Sequence, residues 1–166
     1  MEALQWYALH VRSRQERVVE QSLIKKGYSA FSPLYRSRRN RADRTVELDL
    51  PLFPGYIFCQ FDPRLRLPIL KTPGIVAIVG SGNIPEPIED IEISSIQKIT
   101  MVAEDLVMPW PFFREGQRVR IEAGPLCGVE GKLIRARNHS KLVVSVTLLQ
   151  RSVAVEIDEE SMTPLY

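Results

Sequence analysis

The side chains that could carry out covalent or metal chemistry are few and far apart in this sequence. His10 and His139 are the only histidines, and neither lies in a recognisable nucleophile motif, so a Ser-His-acid site is not predicted. Cys59 and Cys127 are single, without a second ligand at metal-binding spacing, and we interpret both as buried free thiols. We therefore expect no metal ion, no cofactor and no enzymatic activity.

The chemistry that remains is charge recognition, and residues 36–44 (RSRRNRADR) concentrate it. This segment holds five arginines and one aspartate, and the alternating segment 45–50 that follows it predicts a strand. The arginines would then form the tip of a hairpin. Their guanidinium groups could meet phosphates bidentately without reading sequence, and such a contact would be salt-sensitive. A solvated loop with no partner is the alternative reading.

Charge is distributed unevenly along the chain, although the net charge is only +2. Residues 1–44 contain ten basic and four acidic residues, giving +6, whereas residues 45–112 contain four and nine, giving −5. The remaining residues contain eight basic and seven acidic residues, giving +1. This asymmetry favours a polyanionic partner for the first segment.

Composition places the chain among globular proteins. It has 166 residues, enough for one domain or two small ones, and a hydrophobic content of 45% that can build packed cores. No apolar run approaches the roughly 20 residues of a membrane span, and Glu2 and Gln5 argue against a signal peptide. We expect a cytoplasmic monomer with no membrane partner.

The first part of the chain alternates strand and helix signals. Residues 6–11 predict a strand, and Ser13 with Glu16 has the spacing of a capping box at a helix start. Gly27 is expected to end that helix. A second helix is predicted over residues 90–104. The apolar stripe of the first helix is Val18, Val19, Ser22 and Leu23, and that of the second is Ile96, Ile99, Thr100 and Ala103.

Residues 52–61 (LFPGYIFCQF) are apolar on both faces, which predicts a strand covered on both sides or left open to a partner on one. Because strand side chains alternate, Tyr56 and Phe58 point one way while Ile57 and Cys59 point the other. We expect one pair to face the core. The aromatic pair is the better candidate for a partner surface.

Residues 113–134 space glycines and β-branched residues as a small, tightly curved β-barrel requires. Alternation continues in residues 142–148 and 153–157, giving about five short strands and an SH3-like barrel. The stretch resembles a KOW motif. The residues that carry this resemblance are Gly116, Val119, Ile121, Gly124, Pro125, Gly128 and Gly131.

These elements predict an α+β fold: an antiparallel sheet with helices on one face, followed by a small all-β barrel. We divide the chain into an amino-terminal domain at residues 1–104, a short apolar linker at 105–112 and a barrel domain at 113–166. The linker sequence, DLVMPWPF, is not a flexible tether. We expect it to pack against a domain and to restrict interdomain motion.

The order of Trp6-Tyr7, a basic hairpin, LFPGYIF and a KOW motif resembles the NusG family of transcription factors over nearly the whole chain. The resemblance implies docking on the clamp coiled coil of RNA polymerase, contact with upstream or non-template DNA, and suppression of pausing or termination. The implied polymerase-docking residues are Tyr7, Phe53, Pro54, Tyr56 and Phe58. The implied DNA-contacting residues are Arg12, Arg14, Arg17, Lys25, Lys26, Arg36, Arg38, Arg39, Arg41, Arg44, Lys71 and Thr72.

The resemblance also implies that the loop at Leu149, Gln150 and Arg151 recruits a small-subunit ribosomal protein or the termination factor Rho. The family usually has an aromatic at the position of Leu149 and a glycine at that of Gln150, so this chain departs from the general pattern. LFPGY, SAFSPLY and the short linker look more like specialised antitermination paralogues. An RNA-binding or ribosome-associated KOW protein is the alternative function.

Overall fold

A computed structural model of the chain describes residues 4–103, 105–113, 116–135, 140–157 and 162–165. His139 and Glu104, both used in the predictions above, lie outside these residues. In chain order the helices are α1 (Glu16–Lys25), α2 (Leu67–Leu70) and α3 (Asp90–Val102). The strands are β1 (Gln5–Val11), β2 (Ser29–Phe31), β3 (Leu34–Arg41), β4 (Arg44–Pro51), β5 (Tyr56–Phe61), β6 (Ile75–Ile78), β7 (Gly80–Ser81), β8 (Ile84–Pro85), β9 (Val107–Trp110), β10 (Gln117–Ile121), β11 (Glu130–Arg135), β12 (Ser140–Val146), β13 (Arg151–Ile157) and β14 (Met162–Pro164).

The backbone forms two compact units, each discontinuous in sequence. The first comprises Met1–Pro33 and Phe53–Asp90, and the second comprises Leu34–Leu52 and Ile91–Tyr166. Both contain antiparallel sheets and helical segments, so the predicted α+β class is confirmed. The predicted domains were continuous segments, and their boundaries at residues 104 and 112 stay a prediction.

The first unit is built on a four-stranded antiparallel sheet in the order β2-β5-β1-β6. Helix α1 packs on this sheet because Val19 and Leu23 recur on one side of the helix and are fully buried. The core that they share with the sheet consists of Tyr7, Leu9, Val11, Val19, Leu23, Ile57, Cys59, Phe61 and Ile69. The pair Ile57 and Cys59 therefore faces the core.

The two ends of α1 differ in how well sequence signals predicted them. Gly27 ends the helix as predicted: its φ is +93°, and the Tyr28 N–H donates to the Leu23 carbonyl at 3.1 Å. The predicted capping box is wrong. Gln15 is the N-cap and makes no side-chain capping bond, while the Glu16 carboxylate accepts a hydrogen bond from the Gly55 N–H instead.

Strands β3 and β4 form a two-stranded hairpin in the second unit. The predicted strand at 45–50 is confirmed within β4. The arginine segment was expected to form the tip of a hairpin, and the hairpin is present, but residues 36–41 belong to β3 and the turn is only Ala42 and Asp43. A two-residue turn holds the register up to the tip, so the arginines are in strands.

The rest of the second unit contains α3 and a six-stranded sheet in the order β14-β10-β11-β12-β13-β9. The predicted linker contributes the strand β9, which pairs with β13, so this segment is part of the sheet. The central strand β12 is buried on both faces, since its neighbouring residues Leu142 and Val143 are both almost inaccessible. No helix within the described residues is long and apolar enough to cross a membrane.

Candidate functional site

An aromatic cluster lies on the face of the first sheet that is opposite α1. The Phe58 ring is 5.2 Å from that of Phe31 and 5.4 Å from that of Phe53. Trp6 meets Phe31 edge to face at 5.5 Å, and the rings of His10 and Tyr56 are 5.5 Å apart. We call Trp6, His10, Phe31, Phe53, Tyr56 and Phe58 the aromatic face.

Exposure divides the predicted docking residues into two groups. Phe53 and Phe58 are buried, with 1% and 0% of their surface exposed. Pro54 is exposed and Tyr56 is half-buried, so these two residues present the accessible part of the predicted surface. Of the predicted docking residues on this face, only Pro54 and Tyr56 can therefore contact a partner in this conformation.

Tyr7 is separated from the other predicted docking residues. It pairs with Cys59 across the strands, and residues directly opposite in antiparallel strands share a face. Its ring packs 4.7 Å from that of Phe61 in the core under α1. Burial, with the negative charge of Asp62 nearby, raises the pKa of Tyr7. The structure therefore gives Tyr7 a packing role and does not bring it to the aromatic face.

The turn that presents Pro54 and Tyr56 is held by three hydrogen bonds. The Tyr56 N–H donates to the Phe53 carbonyl at 2.9 Å, and the Val11 N–H donates to the Gly55 carbonyl at 2.8 Å. The Gly55 N–H donates to Oε1 of Glu16 at 3.0 Å, and Glu16 is only 6% exposed. We call residues 53–56 the aromatic turn.

Sequence reasoning missed this role of Glu16 by assigning its side chain to a capping box. A signal was present, because Glu16, Val19 and Leu23 follow the i, i+3, i+7 spacing of a single helix face. A carboxylate on a buried stripe needs a hydrogen-bond donor. The periodicity could therefore have indicated a tertiary partner for Glu16, although not which one.

Two basic loops of the first unit lie next to each other. The Arg12 N–H donates to the Gly74 carbonyl at 2.8 Å, and Lys26 Nζ donates to Thr72 Oγ1 at 2.8 Å. Arg14 is exposed and has a left-handed backbone, with φ +64°. Such a conformation is costly for a residue with a side chain, and it is often found at functional sites.

The other predicted DNA-contacting residues of this unit have different surroundings. Thr72 is 2% exposed and donates to the Pro68 carbonyl at 3.0 Å, so it holds Lys26 and cannot present its hydroxyl to solvent. Arg17, Lys25 and Lys71 are exposed. We call Arg12, Arg14, Arg17, Lys25, Lys26 and Lys71 the basic loop cluster.

The five arginines of the hairpin are not equivalent. Arg36 pairs with Asp49 at 3.8 Å and with Asp105 at 3.2 Å, and Arg38 pairs with Glu47 at 3.2 Å. The other three, Arg39, Arg41 and Arg44, are exposed, and within the described residues they form no ion pair.

The glycines of the KOW-like motif lie at positions where a side chain would not fit or would be strained. Gly124 and Gly128 have φ of +85° and +92°. A Cβ on Gly131 would lie 2.6 Å from the Val143 carbonyl oxygen, so the neighbouring strands can approach only because this residue lacks a side chain. Val119 and Ile121 are buried as their alternation predicted.

The loop predicted to recruit a partner begins with a 3-10 turn at Thr147–Leu149. Leu149 is half-buried, Gln150 and Arg151 are exposed, and Gln150 is left-handed with φ +50°. The N–H and hydroxyl of Thr147 donate to the Glu92 carboxylate at 3.2 and 2.9 Å. This contact joins the loop to α3 within the second unit.

The two cysteines have opposite environments. Cys59 is fully buried, and burial raises the pKa of its thiol to about 12. Cys127 is exposed, so its predicted burial is wrong. It follows Gly124-Pro125 in the loop before β11, where the chain turns at the surface and is not part of the strand.

The fold and these surfaces define an α+β protein with antiparallel sheets, a partly accessible aromatic turn and exposed cationic side chains. A family model described as transcription termination factor nusG matches residues 4–97. The NusG protein of Borreliella burgdorferi, named a transcription termination/antitermination protein, is 30% identical over 174 aligned residues, covering 92% of this chain and 94% of the relative. The chain belongs to the NusG family.

A second relative agrees with this assignment, and a solved structure agrees with the fold. The transcription termination/antitermination protein NusG of Thermus thermophilus is 28% identical and covers 94% of this chain and 96% of the relative. A solved structure of NusG from Thermotoga maritima, which concerns domain interaction in that protein, covers 98% of both chains with a TM-score of 0.54. At 20% identity this structure supports the fold alone.

Proposed function

We propose that this protein is a transcription elongation and antitermination factor that binds RNA polymerase through the aromatic turn and the exposed part of the aromatic face. The observation that carries the proposal is the division of the first sheet. One face is closed by α1, whereas the other presents the half-buried Tyr56 beside the exposed Pro54. Accessible aromatic groups are typical anchors of protein interfaces. The partner is RNA polymerase, at the coiled coil of its clamp.

Nucleic-acid contact is the second part of the proposed function. The basic loop cluster combines side chains of helix α1 and of the loops at residues 12–15 and 71–74. Hydrogen bonds join the Arg12 backbone to Gly74 and the Lys26 side chain to Thr72. The lysines and arginines of this cluster would neutralise phosphates of upstream or non-template DNA while the aromatic turn holds polymerase. Such contacts position a protein on DNA without selecting its sequence.

The effect on transcription would be mechanical, with no bond made or broken by the protein. A factor that binds the elongating conformation of polymerase more tightly than the paused one shifts the population toward elongation by the ratio of the two affinities. The loop at residues 149–151 would recruit a small-subunit ribosomal protein or Rho. Suppression of pausing and termination would follow from the shift of polymerase toward its elongating conformation.

Binding to core RNA polymerase tests the docking surface directly. The double substitution Pro54→Ala and Tyr56→Ala removes accessible side chains and leaves the buried phenylalanines in place. We expect at least about a tenfold loss of affinity, the size expected when anchor residues are truncated. A matched control is Val18→Ala with Leu65→Ala, because these side chains are also apolar and exposed, at 56% and 67%.

A pull-down with core polymerase followed by a pause-escape transcription assay measures both binding and effect. If the Pro54 and Tyr56 double variant melts cooperatively and still binds with wild-type affinity, the proposed docking surface is wrong. Strong RNA binding without any affinity for polymerase would instead favour an RNA-binding or ribosome-associated role.

A further inference from the structure

The two faces of the β3-β4 hairpin carry different kinds of arginine. Directly opposite residues share a face, and the register pairs Arg36 with Asp49 and Arg38 with Glu47. That face is an ion-paired ladder. The opposite face bears Arg39, next to Val46, and the facing pair Arg41 and Arg44. We call Arg39, Arg41 and Arg44 the tip cations.

The hairpin projects far enough to enter a groove. Every residue from 38 to 45 is exposed, whereas Val46, Leu48 and Leu50 farther down the tip-cation face are half-buried. At about 3.4 Å per residue the exposed tip reaches roughly 10–14 Å. The major groove of B-DNA is about 12 Å wide and 8.5 Å deep and admits a two-stranded β-ribbon.

We propose that the tip of this hairpin inserts into the major groove of duplex DNA, where the tip cations contact phosphates along one wall. The inference rests on the nucleic-acid part of the proposed function and adds to the basic loop cluster a second contact, on one face of this hairpin. Arg36 and Arg38 do not contribute, because carboxylates 3.2–3.8 Å away already neutralise them. Their ion pairs keep the opposite face of the arm close to neutral.

The residue types at the tip favour duplex DNA over single-stranded nucleic acid as the partner of the hairpin. Residues 38–45 (RRNRADRT) contain no aromatic side chain on which an unpaired base could stack, whereas single-strand binding relies on such stacking. Duplex RNA has a deep, narrow major groove that side chains cannot read. A two-stranded ribbon therefore fits the major groove of a B-form duplex and not that of duplex RNA.

Two double variants of the full chain test the assignment with equal changes of charge. Arg39→Gln with Arg41→Gln removes two tip cations, and Arg36→Gln with Arg38→Gln removes two ion-paired arginines from the other face of the same arm. Affinity for a fluorescent DNA duplex is measured over a series of salt concentrations. Losing two phosphate contacts makes the slope of log Kobs against log salt shallower by about 1.8.

We expect the Arg39 and Arg41 variant to lose about tenfold or more in affinity at low salt and to show the shallower slope. The Arg36 and Arg38 variant should keep the wild-type slope. Equal slopes and equal losses for the two variants would overturn the proposal, and so would equally tight wild-type binding to duplex RNA or single-stranded DNA.

The same measurements separate this inference from the proposed function. Wild-type protein that binds duplex DNA, with equal losses in both variants, leaves DNA contact in place and removes its assignment to the tip cations. Absence of any duplex binding contradicts the nucleic-acid part of the proposed function together with this inference. Polymerase binding, measured in parallel, should be unchanged in both variants.

Discussion

Replacing Glu16 by Ala should loosen the aromatic turn, since the Glu16 carboxylate accepts the Gly55 N–H at 3.0 Å. Within the described residues no other acceptor bonds this part-buried N–H, and leaving a buried donor unsatisfied costs about 1–3 kcal/mol. A loss of about 2 kcal/mol in the free energy of unfolding corresponds to a fall in Tm of about 4–8 °C for a protein of this size. Thermal denaturation of the full chain measures this shift.

The functional consequence of Glu16→Ala separates a positioning role from a general loss of stability. Because the hydrogen bond holds the turn that presents Pro54 and Tyr56, the affinity for RNA polymerase should fall at temperatures where the variant remains fully folded. Glu16→Gln provides the matched control, because its amide oxygen can still accept the bond from Gly55. We expect this variant to retain most of the stability and the binding.

Two outcomes would refute this reasoning. A wild-type Tm for Glu16→Ala would mean that the bond from Gly55 contributes nothing to folding. Equal loss of polymerase binding in the Ala and Gln variants would mean that the negative charge, and not the acceptor oxygen, is what matters at this position.

Two further predictions follow from the surroundings of single residues. Gly131→Ala should lower the free energy of unfolding by about 1–3 kcal/mol, because the new methyl group would overlap the Val143 carbonyl. Urea denaturation measures this loss of stability. An unchanged urea midpoint would contradict the close approach of the strands. At pH about 8 a thiol reagent should label Cys127 and not Cys59, because Cys59 is buried and its thiol pKa is raised to about 12. Since the unfolded thiol ionises near 9.0, the contribution of Cys59 to stability should be complete below that pH and be lost toward pH 12, and Cys59→Ala should remove this alkaline dependence. Rapid labelling of both thiols in the folded protein would contradict the burial of Cys59.

Local patterns predicted much of the framework. Periodicity placed Val19 and Leu23 correctly on the buried side of α1, because a helix repeats every 3.6 residues whatever surrounds it, and Gly27 was identified as its end. Val18, predicted in the same stripe, is 56% exposed, so that part of the prediction is wrong. Alternation separated Ile57 from Phe58, because successive side chains of a strand point to opposite faces of the sheet. Glycine spacing likewise indicated the close strand approach at Gly131.

Cross-strand register was less predictable, and it changed the candidate site. Tyr7 was grouped with the docking aromatics, yet the register sets it opposite Cys59 and so on the core side of the sheet. A shift of one residue would have reversed its face, and nothing in the local sequence specifies the register between strands separated by about 50 residues. In the hairpin, by contrast, a two-residue turn sets the register, so the pairing of Arg36 with Asp49 could be derived once the turn was located.

The sequence by itself determined the family, the α+β class, the buried stripes and the positions of most turns, because these depend on residue types and on spacings of a few residues. Only the tertiary structure decided that Glu16 holds Gly55, which is 39 residues away, that Arg36 also pairs with Asp105, and that Cys127 is exposed. Whether a charged or polar group is available to a partner depends on which groups folding brings within hydrogen-bonding distance. That proximity is a property of the packed chain, and no local pattern contains it.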